Sequence, residues 1–220
     1  VQLEDGRTGV AYTLGRNSFS GCSAFRGSSP LTGRLASELV DFLGSSNPVE
    51  SSLGLATANA LADASPTGAI SGDVLQELEI LPTDRVGMIG YFGPLVAQLE
   101  NRVAKLDIFE EKTKRSDNLR PAAEEIDGLP ACQVAIITST TIINNTIDDL
   151  LDAAKSCREV CLVGPSTPLF PDAFQGTSVT CLSGMTVSDS AGILRVISEG
   201  RGTRFFTPFT VKWNVRLKQR

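Results

Sequence analysis

Three short segments concentrate the groups that can hold a small molecule. The first is Gly87-Met88-Ile89-Gly90-Tyr91-Phe92-Gly93-Pro94, whose glycines allow close backbone approach and whose Pro94 suits the first position of a helix. It lacks the GxGxxG spacing of a dinucleotide site, so a tight strand-to-helix turn explains it as readily as nucleotide binding does. Twenty positions past Gly90 stands Glu110, about where dinucleotide sites place a ribose-binding carboxylate. Glu110 and Glu111 read equally well as solvated loop acids. The second segment, Thr138-Ser139-Thr140-Thr141-Ile142-Ile143-Asn144-Asn145-Thr146, gathers five hydroxyls and two amides around a helix start. A helix cap uses one or two such groups, here Asn144 or Thr146, and the excess points to a ligand. The third is Gly164-Pro165-Ser166-Thr167-Pro168-Leu169-Phe170-Pro171, where three prolines stiffen the loop that carries two hydroxyls and the Gly164 amide.

The missing residue types narrow the chemistry further. The chain has no histidine, which excludes Ser-His-Asp and Cys-His catalysis, histidine-ligated metals and the usual neutral-pH general base. Its five cysteines, Cys22, Cys132, Cys157, Cys161 and Cys181, show no CxxC spacing and read as reduced, buried, structural thiols. Four of them fall near strand starts, away from the glycine- and hydroxyl-rich segments. A closed soft-metal site would therefore have only Glu110 and Asp189 at the expected cleft, which is too few ligands. The net charge of −5 and pI of about 4.9, with basic residues scattered except in the tail from Lys212 to Arg220, argue against nucleic acid. No 18-residue apolar run and no signal peptide are visible, so a cytoplasmic protein without membrane contact is expected.

These segments need elements to position them. Val1 to Glu4 and Thr8 to Leu14 alternate around Asp5-Gly6-Arg7, the pattern of a β-hairpin. A Ser/Gly-rich loop follows over residues 15–30. Leu35, Leu39, Phe42 and Leu43 then recur at helical spacing, and a second helix is expected from Pro48 through Leu61. After Pro66, Gly68, Gly72 and Pro82 the pattern changes. Short apolar runs at Val86–Tyr91, Lys105–Phe109, Gln133–Thr138, Glu159–Val163 and Ser178–Leu182 alternate with helical stretches at Pro94–Arg102, Pro121–Ile126, Ile143–Ser156 and Asp189–Ser198. Such alternation predicts βαβ crossovers and a five- or six-stranded, mainly parallel sheet covered by helices on both faces. The fold class expected is thus α/β, preceded by a small α+β unit. All three chemistry-bearing segments then fall at the carboxyl ends of strands, where such sheets bind ligands.

Asn59 in Gly54-Leu55-Ala56-Thr57-Ala58-Asn59-Ala60-Leu61, the Gly-Tyr-Phe-Gly-Pro turn, the Thr-rich stretch with Asn144-Asn145-Thr146, the Gly-Pro-Ser-Thr-Pro-Leu loop and Leu182-Ser183-Gly184 together resemble the uncharacterised family described as "putative heavy-metal chelation". The resemblance spans nearly the whole chain. It implies an enolase-N-terminal-like α+β domain over residues 1–72 and a Rossmann-like domain over residues 73–220. The family often has Gly-Thr where Ser139-Thr140 stands here. Shared residues are expected to face an interdomain cleft bordered by Asn59, Gly90, Phe92, Gly93, Glu110, Thr138, Ser139, Thr140, Asn144, Thr146, Gly164, Ser166 and Thr167. The ligand expected there is a small anionic or metal-containing molecule, received by backbone amides that face one another across the strand ends. The alternative is an enzyme using a nucleotide, adenosyl or pterin-like ligand stacked on Phe92. Neither the cofactor nor a catalytic residue is assigned, and a homodimer stays open.

Overall fold

The computed structural model describes residues 1–13, 30–62, 65–110 and 118–217. Leu14, Cys22, most of the Ser/Gly-rich loop, Glu111 and the last three tail residues lie outside the described residues. The hairpin closes through Leu3 N to Arg7 O at 2.8 Å, and Gln2 pairs with Thr8 in a single antiparallel bridge. Beyond Thr8 the chain forms no ladder. Its backbone is satisfied instead by side chains of other segments, described below.

Helix α1 (Ala36–Val40) leads through a 3-10 turn, Asp41–Gly44, into α2 (Pro48–Leu61). Asn47 caps α2 by accepting the Val49 amide, and Pro48 occupies the first helical position. The buried face of α2 is made of small residues, among them Ser51, Ser52, Ala56, Thr57 and Ala60. That lets residues 9–12 lie directly on its backbone. A Cβ at Gly9 would overlap Ala60 N and Ala56 O.

From residue 74 onward the elements are α3 (Val74–Glu77), β1 (Arg85–Ile89), α4 (Gly93–Leu99), β2 (Lys105–Glu110), β3 (Leu119–Pro121), α5 (Glu125–Gly128), β4 (Val134–Thr138), α6 (Thr140–Ile143), α7 (Ile147–Ala153), β5 (Glu159–Val163), β6 (Cys181–Val187), α8 (Ser190–Ser198) and β7 (Thr210–Arg216). The fold is α/β, with one seven-stranded sheet in the order β3-β2-β1-β4-β5-β6-β7. All neighbours pair in parallel except β6 and β7. Alternate residues enter two cores. Val86, Met88, Val134, Ile136 and Cys161 pack with Val74, Leu75, Val96 and Leu99 on one face, while Ile89, Ala135, Ile137, Val160 and Leu162 pack with Leu129, Leu150 and Leu151 on the other. A strand buried on both faces loses its polar alternation, which is why these runs read as continuous apolar stretches. No helix among the described residues is long and apolar enough to cross a membrane.

Several expectations are corrected. The sheet has seven strands, not five or six. β3 is only three residues long, and its pairing with Ile108–Glu110 takes the start of what reads as a helix at Pro121. β7 pairs antiparallel along all of β6. Its signal, Val211, Trp213 and Val215 in alternation, runs into the stretch from Lys212 read as a basic tail. The single helix expected over Ile143–Ser156 is broken at Asn144 and Asn145. Asn145 takes φ 60°, a left-handed conformation that asparagine tolerates, and the Asn144 carboxamide accepts from the Thr146 amide and hydroxyl. The fifth expected strand is observed as β6 and starts at Cys181, where the preceding Thr180 bonds Val160 through its backbone amide while its hydroxyl accepts the Val160 amide and bonds Glu159 at 2.5 Å.

Candidate functional site

Strand order reverses between β1 and β4, so the connections leaving those strands diverge and leave a crevice at their carboxyl ends. A cavity of about 360 Å³ opens there. Its floor is Phe92 after β1, Thr138, Ser139 and Thr140 after β4, and Val163, Gly164, Pro165 and Ser166 after β5. Residues 10–13 line it from the N-terminal segment, and Ile197, residues 200–203 and Phe206 from the end of α8 onward.

The N-terminal segment is held over the strand ends by side chains. Asn59 donates from Nδ2 to Val10 O at 2.8 Å and to Ser166 O at 3.3 Å. The Ser166 hydroxyl, itself buried, accepts the Tyr12 amide at 2.9 Å, and Ser52 donates to Tyr12 O at 2.8 Å. Thr8 reaches Ser190 at the start of α8. The floor is equally cross-linked. Thr138 and Thr140 share a hydroxyl bond of 3.0 Å, and Ser139 bonds Thr167 at 2.8 Å in a buried pair joining the β4 and β5 loops. The Phe92 ring is seated beside two glycines, such that a Cβ on Gly90 or Gly164 would lie 3.8 or 3.9 Å from it. Ser139 has φ −71° and ψ 0°, an ordinary right-handed conformation, so its departure from glycine costs no backbone strain.

Of the residues expected at the cleft, Phe92, Thr138, Ser139, Thr140, Gly164 and Ser166 line this cavity. Asn59, Gly90 and Thr167 stand behind the lining, each in contact with a residue of it. Gly93 opens α4 without facing the cavity. Asn144 and Thr146 lie outside the lining and bond each other in a local turn ahead of α7. Glu110 accepts the Tyr91 amide at 3.2 Å, and Asp189 accepts the Gly192 amide as the cap of α8. Part of the expected array of open amides is closed. The amides of Gly90, Ser139 and Gly164 donate to Phe109, Val163 and Ser183, because the parallel ladders run one residue past the strands, and Glu110 takes the amide of Tyr91. What the cavity offers a ligand includes hydroxyls, the three rings Tyr12, Phe92 and Phe206, and one cation.

That cation, Arg201, is missed by the sequence reading. Its signal was Gly200-Arg201-Gly202 just past a helix, a charged residue between two glycines. Asn59 Oδ1 is buried without a hydrogen-bond partner among the described residues, an orphan acceptor beside the cavity wall. Cys132, Cys157, Cys161 and Cys181 are all buried in the sheet cores, and none lines the cavity. Burial pushes the Cys157 thiol up to about 12, with the neighbouring Cys132 adding to the effect. No group of three or more thiolate or carboxylate side chains among the described residues is placed to hold a metal ion. The donor set at the cavity thus does not fit a bare soft cation, which needs thiolates.

Two family models, both described as "putative heavy-metal chelation", match residues 1–62 and 73–216. An uncharacterized protein of Methanocaldococcus jannaschii is 26% identical over 186 residues, covering 82% of this chain and 71% of that protein. A crystal structure of a protein of unknown function from Pyrococcus horikoshii superposes with a TM-score of 0.83 at 26% identity, covering 98% of this chain and 86% of the other. One from Desulfitobacterium hafniense, also of unknown function, gives 0.72 at 28% identity, covering 82% and 73%.

Proposed function

This chain belongs to the family described as "putative heavy-metal chelation", and from that premise we propose that it binds a small anionic or metal-containing ligand in the cavity at the carboxyl ends of β1, β4 and β5. We read the sheet as Rossmann-like, since its first six strands follow the order of dinucleotide-binding folds. Residues 1–72 are read as an enolase-N-terminal-like domain, which makes the cavity an interdomain cleft. The observation that carries the proposal is the cavity's lining: hydroxyls, aromatic rings and one guanidinium, with no thiol or carboxylate among the described residues. Metal reaches such a site already chelated inside a molecule. The Phe92 ring at the strand-order reversal favours a ligand with a flat ring, which keeps the nucleotide or pterin-like enzyme as the second reading.

Isothermal titration of metal-free protein with inorganic phosphate, AMP and Zn²⁺ tests this. Heat on adding AMP or phosphate, lost in an Ala11→Trp variant that fills the cavity, is the expected outcome. Micromolar Zn²⁺ binding abolished by Glu110→Ala, with no response to either anion, would establish direct chelation instead.

A further inference from the structure

Arg201 is the one charged residue lining the cavity among the described residues, and its backbone is fixed. Gly200 ends α8 at φ 72°, its amide bonding Ile197 O at 2.9 Å while the Arg201 amide bonds Val196 O at 3.1 Å. These two bonds are those of a Schellman motif, whose second residue past the helix is ordinarily apolar and folds back onto the last turn. Here that residue is an arginine, and its Cα is set by the helix end rather than by a free loop. The guanidinium lies over the Phe205 ring, 4.8 Å from its centroid, with Nε 3.2 Å from Glu199 Oε2. Nη1 and Nη2 have no acceptor among the described residues. Glu199 is about half exposed, so an arriving anion releases it to water at little cost.

We propose that Arg201 selects the ligand, taking a carboxylate, sulfonate or phosphate on Nη1 and Nη2 while the ligand's flat apolar part lies among Phe92, Phe206 and the strand-end hydroxyls; this rests on the cavity being the binding site. The volume of about 360 Å³ lies at the low end of the range for small-ligand pockets. It suits one ring system with its anionic group, not a dinucleotide. Arg201 therefore sets a preference for charged over neutral ligands of the same shape, and Glu199 moderates it by competing for the guanidinium.

Two dyes with the same rings separate these effects: 1-anilinonaphthalene-8-sulfonate and the uncharged N-phenyl-1-naphthylamine, each followed by fluorescence titration. Arg201→Gln is expected to weaken the sulfonate dye about 10-fold or more, the scale of a charge-assisted hydrogen bond, and to leave the neutral dye within about two-fold. Glu199→Gln is expected to strengthen the sulfonate dye alone. Ala11→Trp removes both dyes, and thermal melts confirm that each variant is folded. If Ala11→Trp removes both dyes but Arg201→Gln changes neither, or weakens both equally, the cavity stands and the role of Arg201 is overturned. If neither dye binds, or binding ignores Ala11→Trp, the cavity reading fails and this proposal fails with it.

Discussion

The Asn59 carboxamide joins three segments distant in the chain, since Nδ2 alone holds both Val10 O and Ser166 O. Replacing it leaves two carbonyls without that donor, and Asn59→Ala is expected to cost about 2 kcal/mol in urea unfolding. Asn59→Asp should cost more at pH 8, because a carboxylate would face two carbonyl oxygens. Its deficit relative to wild type should shrink at about pH 5, where a raised carboxyl pKa returns a donating proton. Equal deficits for the two variants at both pH values would show that the amide is not needed as a donor. The thiols make a second test at this scale. With burial raising Cys157 to about 12 and also raising Cys132 and Cys161, iodoacetamide at about pH 8 should leave these three unmodified in native protein and label them after denaturation, as read by peptide mass mapping. The burial of these cysteines was legible in the sequence, because they fall in strand-entry positions of apolar runs. Arg201 was not legible as a site residue, because nothing local shows that the end of α8 meets the ends of β4 and β5.

Helix α2 and the N-terminal segment fit together only because both are stripped of side-chain bulk where they touch. Gly9→Ala places a methyl group into the α2 backbone at Ala56 and Ala60, which cannot move aside without unwinding the helix. It is expected to cost about 3 kcal/mol, the upper range for overpacking. Gly44→Ala, where a Cβ meets nothing within 4 Å, should change stability by less than about 0.5 kcal/mol. Because residues 10–13 line the cavity, Gly9→Ala should also weaken ligand binding, whereas Gly44→Ala should not. Matching melting temperatures for the two variants would contradict this packing. The strands were legible wherever an apolar run is bounded by turn residues, as β1, β2, β4 and β5 are. β3 and β7 were not: one is too short to carry a period, and the other carries its alternation among lysine and arginine residues.

For the molecule as a whole, the amino side of the sheet carries structural ion pairs while the carboxyl side carries the cavity. Burial alone would raise the Asp107 carboxyl, but hydrogen bonds and charge from Arg85 and Arg120 outweigh it and hold it below the usual range. Glu159 behaves alike, its burial outweighed by Arg216, the Thr180 hydroxyl and the Glu79 amide. Both pKa values are lower folded than unfolded. The stability they contribute is therefore complete above the unfolded carboxylate range of about 4 and is lost as pH falls through the folded values. Urea midpoints should decline below about pH 4, and the decline should flatten in a variant carrying both Asp107→Asn and Glu159→Gln, which starts from a lower midpoint at pH 7. An unchanged acid slope would remove these two groups from the account. By itself the sequence determined the α/β class, the absence of imidazole chemistry and the clustering of hydroxyls at strand ends, because hydrophobic period and turn chemistry are local properties of the chain. Only the tertiary structure decided the strand order, which amides and hydroxyls are already spent, and that Val10, Asn59, Ser166 and Arg201 gather at one cavity. These depend on segments as far apart as Asn59 and Ser166, 107 residues in sequence, closing on one another. Such contacts are set by shape and burial between elements, which no local pattern encodes.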